Sequence, residues 1–216
     1  MQSGEFCWFD VKTRDVRATS VFLAAALGWK IAVDPDDWRR HAIKIALDGR
    51  WIGGVSDLAN PIYPPDAAPH IASYLAVDDV EARTAAVRRA GAEVVVPPSD
   101  VADQGRLATV VDPFGAAVTL WQPGAFAGWP DTAPPPARMR HLGDRPADAE
   151  RFYADALGVR AQFGAGPAGW EVVVGVADLE LVAQRVAACG AGTCERLSAE
   201  LRLTDPQGLR LAVARP

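Results

Sequence analysis

FLAAALGWK, residues Phe22–Lys30, returns 130 residues downstream as FYADALGVR, residues Phe152–Arg160. Both carry Phe, two Ala, Leu and Gly in register and close on a cation. Alanine and leucine favour helix, and the glycine supplies the left-handed residue that commonly ends one. A second echo pairs DVEARTAAVRRAGA (Asp79–Ala92) with DLELVAQRVAACGA (Asp178–Ala191) at an offset of 99. Each opens on a capping Asp, repeats its apolar residues at helical spacing and ends beside a glycine. A third pairs Asp112-Pro-Phe-Gly115 with Asp205-Pro-Gln-Gly208 at an offset of 93, between strand-like runs, which marks hairpin turns.

The chain is therefore two divergent copies of one α+β unit. The offset falls from 130 to 93, so the second copy lacks 31 residues between its two helices and 6 more before its turn. In copy one the missing interval predicts a hairpin, Ala42–Leu47 and Trp51–Val55 about Asp48-Gly49. The rest of copy one reads as strand Phe6–Lys12, helix Val16–Leu27, strand Trp29–Val33, then strand Ile71–Val77, helix Asp79–Ala90, strand Glu93–Val96 and a hairpin of Leu107–Val111 with Ala117–Trp121. That is a βαβββ motif twice. Copy two reads βαβ followed by βαβββ. Between them PGAFAGWPDTAPPPA (Pro123–Ala137) holds five prolines, which disfavour regular pairing and predict an extended spacer. The expected domains are 1–123, complete, and 138–216, shortened by about one hairpin, with 124–137 as linker.

Composition narrows the function. Half of the 216 residues are apolar and the formal charge is -5, with basic residues scattered. This excludes the signatures of disorder and of a phosphate-binding stripe, so no nucleic-acid partner is expected. No window approaches a membrane span, and the acidic N-terminal stretch lacks the apolar core of a signal peptide, so the expected address is the cytoplasm without a membrane partner. Cys7, Cys189 and Cys194 are read as reduced thiols, their spacing matching no zinc site.

These echoes, and above all the run PPSDVADQGRLATVVDPFGAAVTLWQP (Pro97–Pro123), resemble the vicinal oxygen chelate superfamily. It includes glyoxalase I, bleomycin-resistance proteins, fosfomycin-resistance enzymes and extradiol dioxygenases. The run is similar in detail to tandem glyoxalase-like proteins of actinobacteria. The resemblance implies paired βαβββ motifs curling into a cup around a small molecule, lined in metal-dependent members by His, Gln and Glu. The positions it assigns to metal ligands fall here on Trp8, Ala72 and Thr119 in copy one, and on Arg138 and Ala212 in copy two. None supplies the oxygen or imidazole set that a hard divalent ion needs. The expected cofactor is therefore none.

Alternation along strands extends the cup face from Trp8, Ala72 and Thr119 to Asp10, His70, Tyr74 and Trp121. With Trp51 and Arg106, this set is the expected ligand site. Its aromatic walls and few polar groups suit a planar or apolar small molecule. His70 is the candidate base, weighed against simple exposure at a strand start. Asp10 is expected to pair with an arginine such as Arg106 or to stand at a rim. His41, after the charged turn DPDDWRR, reads as a surface residue. His141 opens the reduced copy with no triad partner near it, and Asp112 and Asp205 read as turn formers. Two functions stay open: a metal-free small-molecule binding protein, monomeric or homodimeric, or an enzyme (lyase, isomerase or dioxygenase). The enzyme would use His70 alone or a metal set drawn from His70, Asp10, Asp57 and His41. Function is expected within 1–123, and the reduced copy is expected to tolerate substitution provided that its packing against the first copy survives.

Overall fold

The structure, a computed structural model, describes residues 2–37, 41–130 and 135–216. Copy one contributes β1 (Phe6–Thr13), α1 (Val16–Leu27), β2 (Lys30–Asp34), β3 (Ala42–Leu47) and β4 (Arg50–Asp57) as one βαβββ motif. Its second motif is β5 (His70–Ala76), α2 (Val80–Arg89), β6 (Glu93–Val101), β7 (Gly105–Val111) and β8 (Ala117–Pro123). Copy two supplies β9 (Ala137–Gly143), α3 (Pro146–Leu157) and β10 (Gln162–Ala165), then β11 (Gly169–Gly175), α4 (Leu179–Cys189), β12 (Thr193–Arg196), β13 (Glu200–Thr204) and β14 (Arg210–Ala214). The α+β class, the tandem motifs and the hairpin missing from copy two are as the sequence predicts.

Local chemistry sets the helix ends. The Asp15, Asp79 and Asp178 carboxylates accept the amides of Ala18, Ala82 and Leu181 at 2.9, 2.9 and 3.0 Å, which caps α1, α2 and α4. α3 lacks such a cap and begins on Pro146, whose missing N–H would have had no partner in the first turn. Strand β6 runs five residues beyond its predicted end, through Pro97 and Pro98. It is an edge strand, and its pairing with β7 shifts register between Val94 and Val96 and again between Val96 and Ser99. An edge and a bulge are where a strand can hold proline.

The chain divides into two compact units that cut across the duplication. Unit 1 holds the chain up to Trp8 together with Ala72–Val172, and unit 2 holds Phe9–Ile71 with Val173–Pro216. The boundaries fall inside β1, β5 and β11, so each unit joins one motif of copy one to part of copy two.

In unit 1 the strands run in the order β1-β5-β8-β7-β6 and β10-β9-β11, and α2 packs on α3. The Val80 amide of α2 donates to Gln122 Oε1, which puts α2 on the Gln122 face of β8 and leaves Thr119 and Trp121 on the other. In unit 2 the orders are β2-β3-β4-β1 and β11-β14-β13-β12, and α1 packs on α4. Its core is built on Phe9, Phe22, Leu23, Ile45, Leu201, Leu203 and Leu211, all essentially without exposure.

The spacer is not wholly extended. The amides of Gly124 and Phe126 donate to Gln104 O at 2.9 and 3.0 Å, Ala125 N to Asp103 O at 2.9 Å, and Trp129 N to Cys7 O at 2.9 Å. The segment after β8 thus folds back on unit 1. Residues 131–134 of the predicted spacer, and 38–40 of the predicted charged turn, lie outside the described residues.

Gly190 and Gly192 offer a test of this packing. Both have positive φ, at 65° and 70°. A Cβ on Gly190 would meet open space, whereas one on Gly192 would come within 2.4 Å of Thr204 O and 2.6 Å of the Phe22 ring. Gly190→Ala is expected to cost about 1–2 kcal/mol, the left-handed penalty alone, and Gly192→Ala about 1–3 kcal/mol more, for overpacking. Urea unfolding of the two variants checks the difference, and equal losses would mean the α1–α4 contact yields freely.

Candidate functional site

On the face of the unit 1 sheet away from α2, β5 and β8 pair Tyr74 with Thr119 and Ala76 with Trp121. Tyr74 stands edge-on to Trp121, their centroids 6.2 Å apart. Trp8 reaches the same cluster through Phe126, a residue of the folded-back segment, at 5.1 Å and 90°. Phe126 lies 6.1 Å from Trp121, whose indole N–H donates to Phe126 O at 3.0 Å. Thr119 shares a 3.0 Å hydrogen bond with Thr109. Trp8, Tyr74, Thr119 and Trp121 are thus gathered on one face.

Arg106 is not among them. It pairs with Gln122 across β7–β8, on the α2 side, with guanidinium nitrogens 2.6 Å from Glu81 and 2.6 Å from Asp100. Glu81 and Asp100 are thus the carboxylates paired with Arg106, where the sequence suggested Asp10.

In unit 2 the Asp10 carboxylate is held instead by its neighbour two residues along the strand. Lys12 Nζ and Ser56 Oγ both donate to Asp10 Oδ2, at 3.0 and 2.6 Å, and the ammonium also donates to the Tyr63 hydroxyl at 3.1 Å. The pairing β1–β4 sets Lys12 opposite Ser56, so one sheet face carries the whole chain of bonds. Lysine and serine suffice because they offer Asp10 two donors in a half-dry setting. Trp51 is half-buried beside the bulge of β3–β4, opposite Ala46. His70 is exposed, with Nδ1 2.8 Å from Ala68 O, and His41 is exposed as well.

The most elaborate polar cluster lies where the sequence reading found none. His141, on β9, has no exposure, and its Nε2 stands 2.8 Å from Asp112 Oδ2. The Tyr153 hydroxyl of α3 donates to the same oxygen at 2.9 Å, and the Trp170 indole N–H of β11 donates to Tyr153 Oη at 2.9 Å. Asp112 Oδ1 meanwhile accepts the Phe114 and Ala116 amides of its own turn, at 2.8 and 2.9 Å. So a turn former of copy one is also the anchor for two side chains of copy two, with Trp170 joined to it through Tyr153. Burial pushes the Asp112 carboxyl up, but the bonds from His141, Ala116, Phe114 and Tyr153 outweigh it and hold the group below the usual carboxylate range. With Nε2–H turned to the carboxylate, His141 Nδ1 is left buried and unpartnered. Burial and the Asp112 charge raise the Tyr153 phenol well above its ordinary value, keeping it a donor.

Unit 2 repeats the plan with different residues. Asp205 Oδ1 accepts the amides of Gln207 and Leu209 at 2.8 Å each, while Oδ2 accepts Thr19 Oγ1 of α1 at 2.5 Å. Thr19 in turn is 2.8 Å from Thr13 Oγ1. One signal in the sequence pointed here: Tyr153 stands at an offset of 130 from Leu23, and a hydroxyl on an otherwise apolar helix face asks for a buried partner.

The positions that the resemblance assigns to metal ligands carry, in unit 1, the Trp8 indole, the Ala72 methyl, the Thr119 hydroxyl engaged with Thr109, and the Arg138 guanidinium. Among the described residues no three His, Cys, Asp or Glu side chains gather as a metal site. The three cysteines are free, and burial, partly offset by a backbone hydrogen bond, pushes the Cys7 thiol up to about 12. An open cavity of about 930 Å³ lies elsewhere in unit 1, lined by Gln2–Cys7, Trp129, Ala137–Met139, Gly158 and Arg160–Gln162 among others. Of the positions the resemblance assigns to metal ligands it includes Arg138, and it includes none of the residues of the expected ligand site.

The βαβββ motifs, the twin DPxG turns and the sheet face set against its helix define a class, and comparison confirms it. The model of the Glyoxalase/Bleomycin resistance protein/Dioxygenase superfamily matches residues 7–120, and the chain belongs to that superfamily. Among individual relatives, the anthracycline biosynthesis protein DnrV of Streptomyces peucetius is 31% identical over 72% of this chain. The chain spans 61% of that relative's length. The protein CFP32 of Mycobacterium bovis, named as a glyoxylase, is 28% identical and covers 97% of this chain and 94% of its own length. In fold the chain is similar to the Mn(II)-bound glyoxalase of Novosphingobium aromaticivorans (TM-score 0.63, 15% identity, 99% of this chain and 82% of that one). It is also similar to the 2,2',3-trihydroxybiphenyl 1,2-dioxygenase of Sphingomonas wittichii (TM-score 0.64, 14% identity, 100% and 91%). No helix among the described residues is long and apolar enough to cross a membrane.

Acid should expose the Asp112 network. Because the folded-state carboxyl lies below its unfolded value, its contribution is complete above the unfolded pKa of about 4 and is lost as pH falls through the folded value. Asp112→Asn, which turns an amide N–H or a single carbonyl toward two donors, is expected to cost about 1–3 kcal/mol for each donor left unpaired. It should also flatten the fall of stability below about pH 4. Urea midpoints measured from pH 3 to pH 7 test this; an unchanged acid slope would remove Asp112 from the account.

Proposed function

We propose that this chain binds a small aromatic molecule on the unit 1 sheet face bearing Trp8, Tyr74, Thr119 and Trp121, without a metal ion. The observation carrying this reading is that the family's ligand positions on this face hold an indole, a methyl and a hydroxyl. Aromatic rings stand around them where carboxylate and imidazole would be needed for a metal. Aromatic walls with sparse polar groups favour a planar ligand through area and ring-edge contacts. The name of the Streptomyces relative, a protein of anthracycline biosynthesis, is in keeping with a fused-ring ligand.

Binding of 9,10-anthraquinone-2-sulfonate, followed by calorimetry, is the direct test. Affinity in the micromolar range is expected, unchanged by a chelator and reduced about tenfold or more by Trp8→Ala, since truncating a packed aromatic removes about 1.4 kcal/mol or more. Binding that disappears with chelator and returns with Mn, Fe, Ni or Zn would replace this reading with a metal-dependent one.

A further inference from the structure

The aromatic face of unit 1 already holds a ring. Phe126 sits edge-on to Trp8 at 5.1 Å and against Trp121 at 6.1 Å and 67°, and its own carbonyl takes the Trp121 indole proton at 3.0 Å. The segment that brings it there, PGAFAGW (Pro123–Trp129), has Phe126 as its only large side chain between Pro123 and Trp129. Phe126 is half-buried while Trp121 beneath it is only 4% exposed. Backbone bonds to Gln104, Asp103 and Cys7 hold the strap. Gly128, at φ 91°, lies so close to Cys7 that a Cβ would come within 2.4 Å of Cys7 O.

We infer that Phe126 is a stand-in for the ligand, and that the site takes one aryl ring carrying an acceptor oxygen once the strap has lifted. This rests on the reading of the face as an aromatic-binding site. An indole N–H can only donate. When Phe126 O leaves, the buried Trp121 proton needs a new acceptor, and a pure hydrocarbon would leave it unpaired at a loss of about tenfold or more in affinity. The ligand class is therefore an aryl ketone, quinone or phenol rather than an unsubstituted arene. The strap competes with it, so apparent affinity is reduced by the fraction of closed chains.

The experiment compares 9,10-anthraquinone-2-sulfonate with anthracene-2-sulfonate, which shares the ring frame but lacks the two carbonyls. Binding to the unaltered chain, Phe126→Ala and Gly128→Ala is measured by calorimetry, with circular dichroism to confirm the fold. Phe126→Ala is expected to bind the quinone about tenfold more tightly than the unaltered chain, and Gly128→Ala, which forces the strap off Cys7, to shift the same way. The quinone should exceed the arene about tenfold in Phe126→Ala, and adding Trp121→Phe should erase that preference. Quinone binding that is equal in all three proteins overturns the stand-in while leaving the aromatic-binding reading intact. No binding of either probe by any folded protein overturns both.

Discussion

Two aspartates, one in each DPxG turn, divide their carboxylates between two tasks. Oδ1 closes the local turn by accepting two amides. Oδ2 faces away from the turn and is met by side chains from the other copy: His141 and Tyr153 for Asp112, Thr19 for Asp205. A buried carboxylate with so many donors is stable only while all are present, because each lost partner leaves a charge or a proton unpaired in a dry interior. The reduced copy therefore supplies structure to the complete one, and positions 141, 153 and 170 belong to the packing on which the expected tolerance to substitution depends.

Much of this was legible in the sequence. Capping Asp, terminating Gly and the DPxG turns are local signals, set by groups within a few residues of each other, and they placed all four helices and the hairpins. Period-two alternation put Tyr74, Thr119 and Trp121 on one face, as found. Where the reading failed, the partners were far apart in the chain. Asp112 and His141 are 29 residues apart and belong to different copies. His141 corresponds by the 130-residue offset to Val11, so its neighbours in copy one suggested nothing polar. The Asp10–Lys12 pair was within reach of the same alternation argument. Residues two apart on a strand share a face, and a half-buried carboxylate takes the nearest cation.

The proline content of the spacer was a fair guide to the lack of regular pairing, but it said nothing of where Phe126 would go. That ring found the indoles because the preceding strand ends beside them and glycines at 124 and 128 let the chain turn back. The same residues connect fold to function. The positions that the resemblance assigns to metal ligands carry an indole, a methyl and a hydroxyl on this face, and the proposed aromatic site is built on them.

The central claim, that the turn carboxylate of copy one is completed by copy two, is tested most directly by a double-mutant cycle on Asp112→Asn and Tyr153→Phe, read from urea unfolding at pH 7. A shared buried bond predicts a coupling of about 1–3 kcal/mol between the two substitutions. Losses that add to within about 0.5 kcal/mol would contradict it.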